Sequence, residues 1–80
     1  MTSTNRVYTK MKQMIEGGKT YRFKSLDDED PFEPFEGVPV DVGSEMFVRV
    51  TKGNGKLKEG TIVGIDPDEF CFMDISEVEG

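Results

Sequence analysis

The second half of the chain reads as a succession of short β-strands joined by turns. Three runs rich in β-branched and aromatic residues cover 46–51, 60–65 and 70–75. The Gly-rich segment 52–56 lies between the first two runs, and Asp66-Pro67-Asp68 lies between the last two. Closely spaced strands with short turns and almost no helix between them are typical of a small curled sheet or barrel. In such a fold, function lies on loops and faces and seldom in a deep pocket.

The first half adds one helix and further extended structure. Apolar residues recur at helical spacing over 4–17, which predicts an amphipathic N-terminal helix that ends at Gly17-Gly18. Residues 19–26 alternate between aromatic and basic side chains and predict a strand. The segment 38–42 also alternates, but Pro39 lacks a backbone donor and restricts it to an edge strand or an extended arm.

Together these segments predict a mainly β (α+β) fold, in which an N-terminal amphipathic helix precedes a small four- to five-stranded antiparallel sheet or bent barrel. A chain of 80 residues is expected to form a single domain. Its expected organisation over 1–80 is helix 4–17, strand 19–26, an acidic Pro- and Phe-containing loop 27–37, and strands and turns 38–76.

The composition excludes several kinds of chemistry. The chain has no histidine and one cysteine, which rules out Ser-His and Cys-His nucleophile pairs and a thiolate zinc site within one chain. The segment Asp66-Pro67-Asp68-Glu69 carries Phe70 where a calcium loop needs a third oxygen ligand, so a turn containing Pro67 is predicted there. We therefore expect no enzymatic activity, no cofactor and no metal site.

Charge favours a protein as the partner. The formal net charge is −6, which suits a partner with a basic surface. Direct nucleic-acid binding is less favoured, because phosphate contacts need clustered Lys and Arg. The charges are also partitioned, since six basic residues face one acidic residue over 1–25 and only carboxylates occur from Glu59 onward. A bipolar molecule is expected.

Nothing in the sequence calls for an oxidising compartment or a membrane. Cys71 cannot form an internal disulfide, and its place between Phe70 and Phe72 in a predicted strand indicates a buried structural thiol. The N-terminal residues contain no apolar run that would serve as a signal peptide or a membrane span. The expected location is the cytoplasm.

The acidic loop is the first candidate for function. Its carboxylates and two phenylalanines stand on a backbone restricted by two prolines, so charge and apolar anchors are presented together. Charge steers an encounter and desolvated anchors supply most of the affinity. The carboxylates can also imitate a phosphate backbone; the alternative is a solvated loop whose phenylalanines fold back on the end of the barrel. The residues predicted to bind a partner are Asp27, Asp28, Glu29, Asp30, Phe32, Glu33, Phe35 and Glu36.

The Gly-rich turn is the second candidate. Lys52, Lys56 and Lys58 are predicted anion contacts there, because glycines let backbone amides approach a phosphate closely. No aromatic residue is interleaved to stack on bases. The alternative is a tight hairpin whose lysines keep a sheet edge soluble.

One family resemblance rests on the strand pattern. Phe47-Val48-Arg49-Val50 before the basic turn, and the segment 60–66 after it, make residues 45–75 resemble the small bent barrels of the Sm-like and KOW type. Sm-like proteins form rings that bind RNA, and KOW modules bind RNA or polymerase. The resemblance therefore implies a small bent barrel and an oligomeric RNA-binding module.

Three functions follow as expectations. The first is a non-catalytic acidic interaction protein that binds a protein partner, as a phage- or mobile-element-type inhibitor or regulator that occupies a basic surface of a nucleic-acid-handling enzyme. The second is the Sm-like or KOW-like RNA-binding oligomer. The third is a structural subunit of a homo-oligomer, because a domain of this size has a small core that association can complete.

Overall fold

A computed structural model describes the backbone over residues 2–26, 29 and 32–78, and the side chains from residue 6 onward within those ranges. The described chain forms two helices and five strands. In order they are α1 Thr2–Gly17, β1 Tyr21–Ser25, β2 Phe35–Val42, β3 Met46–Lys52, β4 Ile62–Ile65, α2 Pro67–Cys71 and β5 Met73–Glu77.

The five strands form one antiparallel sheet in the order β4-β3-β2-β1-β5. Strands β1 to β4 follow one another as a meander. The chain then passes through α2 to the opposite edge of the sheet, where β5 pairs with β1. This return makes β4 and β5 the two edge strands. The N-terminal helix and the antiparallel sheet confirm the predicted fold class.

The core lies between α1 and the sheet. Helix α1 contributes Met11 and Met14, which are buried with Phe23 of β1 and Phe35 of β2. The rings of Phe23 and Phe35 are stacked, with centroids 5.1 Å apart. The remaining buried side chains are Met46, Val48, Val50, Ile65 and Phe70. Burying one such side chain contributes about 1.5–3 kcal/mol, so these few residues carry much of the stability.

Strand β2 differs from its prediction in two respects. It begins at Phe35, so Phe35, Glu36 and Gly37 lie in the strand, whereas the sequence placed them in the acidic loop. It is also a central strand, so the restriction of Pro39 to an edge was wrong. The physical reason is that the ladder with β1 ends at Gly37, and beyond that point β2 pairs with β3 alone among the described strands. Pro39 therefore has no ladder of hydrogen bonds on its β1 side.

Helix α2 replaces a predicted turn and the start of a predicted strand. Asp66 caps the helix, since its Oδ1 accepts a hydrogen bond of 2.8 Å from the backbone N–H of Glu69, and Pro67 follows in the first turn. Phe70 is buried by this turn of helix, whereas Cys71 is exposed. The prediction of a buried thiol was therefore wrong, because the short helix directs Phe70 toward the core and leaves Cys71 on its exposed side.

Candidate partner-binding surface

The acidic loop leaves the sheet beside the start of β5. The backbone N–H of Leu26 donates to the carbonyl oxygen of Phe72 over 3.0 Å, which extends the β1–β5 pairing one residue beyond Ser25 and Met73. The acidic residues Asp27, Asp28 and Asp30 follow directly and lie outside the described residues, while Glu29 is described and exposed. Leu26, the last described residue before the run of carboxylates, thus lies at the junction of α2 and β5.

The two phenylalanines of the loop pack inward. Phe35 is 4 % exposed and belongs to the core. Phe32 is partly buried against that core, and its ring lies 5.9 Å from the ring of Phe35 at an angle of 48°. Of the two interpretations left open by the sequence, this geometry matches the phenylalanines that fold back, and it removes the Phe35 ring from the reach of a partner.

Glu33 ties the acidic loop to the basic turn. Its Oε2 accepts a 2.9 Å hydrogen bond from the Gly55 N–H, and its backbone carbonyl accepts one of 2.7 Å from the Asn54 side chain. The Oδ1 of Asn54 in turn accepts from the N–H groups of Lys56 and Leu57. The carboxylate of Glu33 is thereby occupied within the molecule, and the amide of Gly55 that would be offered to an anion is already bonded.

Glu36 is flanked by basic residues of the neighbouring strands. Its cross-strand partners are Arg22 in β1 and Lys52 in β3. Opposite charges at directly paired positions stabilise a sheet by roughly 0.2–1 kcal/mol. The register therefore places Glu36 beside two basic residues, whereas Lys56 and Lys58 are exposed and lie outside the strands.

Two large apolar side chains are exposed where the acidic run begins. Leu26 is 59 % exposed and Phe72 is 67 % exposed. Their backbones are hydrogen-bonded to each other, although 46 positions separate them in the sequence. Sequence reasoning missed both as site residues. The signal available for Phe72 was the Asp-Pro-Asp-Glu segment at 66–69, which is a helix N-terminus signature that turns Phe70 and Phe72 to different environments.

Three carboxylates meet at the other end of α2. Oxygens of Glu45, Asp66 and Glu69 lie within 4.8 Å of one another, a spacing at which oxygen ligands can share a cation. Partial burial raises the pKa of the Glu69 carboxyl above its ordinary value, and the charge of the neighbouring Asp66 adds to the increase. The cluster thus stores like-charge repulsion next to the helix cap.

No described helix is both long enough and apolar enough to cross a membrane. No family model matches the chain, and neither a curated protein nor a solved structure gives a significant match. The resemblance of residues 45–75 to Sm-like and KOW modules therefore stays an expectation from the sequence.

Proposed function

We propose that the protein is a non-catalytic acidic interaction protein, and that its partner is a protein with a basic surface. The observation that carries the proposal is the exposed pair Leu26 and Phe72, joined through their backbones at the point where the run Asp27-Asp28-Glu29-Asp30 starts. Apolar anchors supply affinity when a partner desolvates them, and the adjacent carboxylates steer a basic surface toward them.

The anchors differ from those expected from the sequence. Phe35 packs in the core and Phe32 packs against it, so the acidic loop itself supplies charge. The apolar part of the surface comes from Leu26 before the loop and Phe72 after α2. The proposed surface still combines charge with apolar anchors, but Leu26 and Phe72 take the place of Phe32 and Phe35 as the anchors.

Inhibition or regulation of a nucleic-acid-handling enzyme is the role that this chemistry suits best. Such enzymes bind phosphate with clustered Lys and Arg, and a run of four carboxylates at 27–30 competes for the same groups. A protein of the kind made by phages and mobile elements would act by occupying that basic surface. A direct RNA-binding role has less support, because Glu33 occupies the Gly55 amide of the basic turn.

The test is affinity capture from a nuclease-treated lysate of the source cell, followed by mass spectrometry. Wild type is compared with a loop variant, Asp27→Asn/Asp28→Asn, and with a control, Glu16→Gln/Glu59→Gln, that removes the same charge from exposed positions elsewhere. We expect a basic nucleic-acid-handling enzyme to be captured by wild type and by the control and to be lost from the loop variant. Equal capture by both variants would contradict the proposal. RNA that co-purifies with all three proteins when nuclease is omitted would favour the RNA-binding alternative.

A further inference from the structure

Strand β4 forms the edge of the sheet opposite β5 and carries no charge. Its residues, Ile62–Ile65, pair with β3 at four consecutive positions, and no other strand of the described chain pairs with them. The strand contains neither proline nor lysine, two residues by which natural proteins block pairing at an exposed edge. Ile62 is 55 % exposed there. This edge is therefore open to pairing with another strand.

The hydrogen bonds between β3 and β4 show which backbone groups of β4 are free. The N–H of Val50 donates to the Thr61 carbonyl over 2.8 Å. In an antiparallel ladder alternate residues are bonded to a given neighbour, so positions 61, 63 and 65 face β3. The N–H and C=O groups of Ile62 and Gly64 therefore point toward the open edge.

These free groups are spaced to receive a second copy of the same strand. When two β4 strands run antiparallel with Val63 opposite Val63, Ile62 of each copy lies opposite Gly64 of the other. Each such pair exchanges both of its backbone hydrogen bonds, and twofold symmetry forms the pair twice. Ile62 then meets a residue with no side chain to obstruct it, and two half-buried Val63 side chains meet on the core side of the sheet.

The charges on the outer face are complementary in this register. Arg49 is the cross-strand partner of Ile62 and forms no ion pair with a described residue. The Glu45 carboxylate lies over Gly64, 3.2 Å from the point that a Cβ would occupy there. Because Ile62 of one copy lies opposite Gly64 of the other, each Arg49 side chain is brought toward the Glu45 carboxylate of the other copy.

The carboxylate cluster on Glu45, Asp66 and Glu69 gains a cation in this arrangement. Oxygens of the three lie within 4.8 Å of one another, and none of them forms an ion pair with a basic residue of the described chain. A guanidinium from the second copy offsets their mutual repulsion. Beyond the paired segment, Lys58 and Glu59 add one charge of each sign. A foreign strand could form the backbone bonds alone, whereas a second copy also brings the isoleucine for the glycine and the cation for the carboxylates.

We propose that two copies of the chain pair through β4, which joins two five-stranded sheets into one antiparallel sheet of ten strands. The paired residues 61–65 span about 17 Å, so the interface is small and self-association is weak and concentration-dependent. Strand β5 lies at the opposite edge, so this pairing does not use the backbone of Leu26 or Phe72. The inference is independent of the proposed function.

The first test measures self-association of the full chain from micromolar to millimolar concentration, by sedimentation velocity and by amide hydrogen exchange in NMR spectra. We expect a dimer at high concentration, with new protection at the Ile62 and Gly64 amides and little change at Val63, which already faces β3. Ile62→Lys should abolish the dimer. The matched control is Val40→Lys, because Val40 is also exposed but lies in the central strand β2, and it should leave the dimer unchanged.

The second test exchanges the charges between the copies. Arg49→Glu and Glu45→Lys should each weaken self-association roughly ten-fold or more, because one exposed ion pair changes binding by up to about five-fold and symmetry forms the contact twice. An equimolar mixture of the two variants should restore the dimer, since both contacts between the unlike copies again join opposite charges. A folding defect in either variant would not produce this rescue.

Three results would overturn the inference. They are a chain that stays monomeric at millimolar concentration, a dimer that persists in Ile62→Lys or leaves the Ile62 and Gly64 amides unprotected, and a mixture that associates no better than either charge variant alone. None of them bears on capture of the basic partner, which the Asp27→Asn/Asp28→Asn variant tests separately.

Discussion

Replacement of Phe35 and of Phe72 by alanine should distinguish a core residue from a residue of the proposed docking surface. Phe35 is 4 % exposed and stacked on Phe23, whereas Phe72 is 67 % exposed. Truncating a buried Phe to Ala costs about 3–5 kcal/mol. A surface truncation usually changes the free energy of unfolding by no more than about 0.5 kcal/mol.

These values translate into different melting behaviour. A chain of this length is expected to be stable by about 4–12 kcal/mol, and each kcal/mol shifts the Tm of so small a domain by about 4–8 °C. Phe35→Ala should therefore lower the Tm by roughly 12–40 °C or abolish the cooperative transition. Phe72→Ala should shift it by less than about 4 °C. Circular dichroism during heating measures both.

Partner binding should show the opposite order. Removing an anchor at the centre of an interface costs about 2 kcal/mol or more, which weakens binding at least roughly 30-fold. We expect that loss for Phe72→Ala in the capture experiment. Phe35→Leu keeps an apolar side chain and loses the stacked pair, worth about 0.5–1.5 kcal/mol, so it should remain folded and retain the partner.

Two results would refute this reasoning. One is a Phe35→Leu variant that melts like wild type and yet no longer captures the partner, because the acidic-loop ring would then be an anchor after all. The other is a Phe72→Ala variant that loses as much stability as Phe35→Ala, because Phe72 would then be part of the core.

The remaining predictions concern the sheet and the α2 cap. Gly37→Ala should destabilise the protein by about 3 kcal/mol in urea denaturation, because a Cβ there would lie 2.6 Å from the Val48 side chain and 2.7 Å from a backbone oxygen. Gly43→Ala is the control: a Cβ at Gly43 would meet nothing within 4 Å, so this variant should be neutral or slightly stabilising. Asp66→Ala removes the helix cap and should lower the free energy of unfolding by about 0.5–2 kcal/mol. Asp66→Asn keeps an acceptor for the Glu69 N–H and should lower it by less. An equal decrease in the two variants would show that the charge of Asp66 matters and the cap does not. Burial, with the charge of Asp66, raises the pKa of Glu69 in the folded state, so its ionised form opposes folding at neutral pH and this penalty is relieved as the pH falls through the raised pKa. Glu69→Gln should therefore be more stable than wild type at pH 7, and denaturation near pH 4 should show the difference shrink; a difference that grows on acidification would contradict the raised pKa of Glu69.

Periodic segments were predictable because their burial follows one repeating rule. The helix expected over 4–17 is Thr2–Gly17, and the strand expected over 19–26 is Tyr21–Ser25. In each, the apolar positions alone decide which face meets the core. The strand before the basic turn was found for the same reason.

Helix α2 could not be found by periodicity because it is five residues long. A segment shorter than two turns repeats its apolar spacing too few times to be distinguished from a strand. The local chemistry was present, since Asp66 followed by Pro67 is a typical helix start, but the same residues also suit a turn. Whether this segment forms a helix or a turn decides the exposure of Cys71 and Phe72.

The charge of the proposed docking surface is visible in the sequence, whereas its proposed apolar anchors are not. The carboxylates of 27–30 are visible as a run, whereas the contact between Leu26 and Phe72 exists only because β5 returns to pair with β1. That pairing is a long-range choice of topology, and no local residue pattern encodes it. The hydrogen bond of Glu33 has the same origin, because its partner Gly55 lies on a distant segment of the chain.

The return of β5 to β1 also explains why the exposed side chains of Leu26 and Phe72 lie beside an edge strand of the sheet. It joins the start of the acidic run to the start of β5 through the Leu26–Phe72 bond, and it leaves β5 with one free edge. The Glu33 carboxylate is bonded to the basic turn, and Glu36 lies in β2 at a position paired with Arg22 and Lys52. In β5, Asp74 lies across the ladder from Lys24, and Glu77 forms an ion pair with Lys19 at 3.3 Å. Because the carboxylates of β5 have basic neighbours within the molecule, the run of carboxylates at 27–30, next to Leu26, is the part of the proposed docking surface that would steer a basic partner.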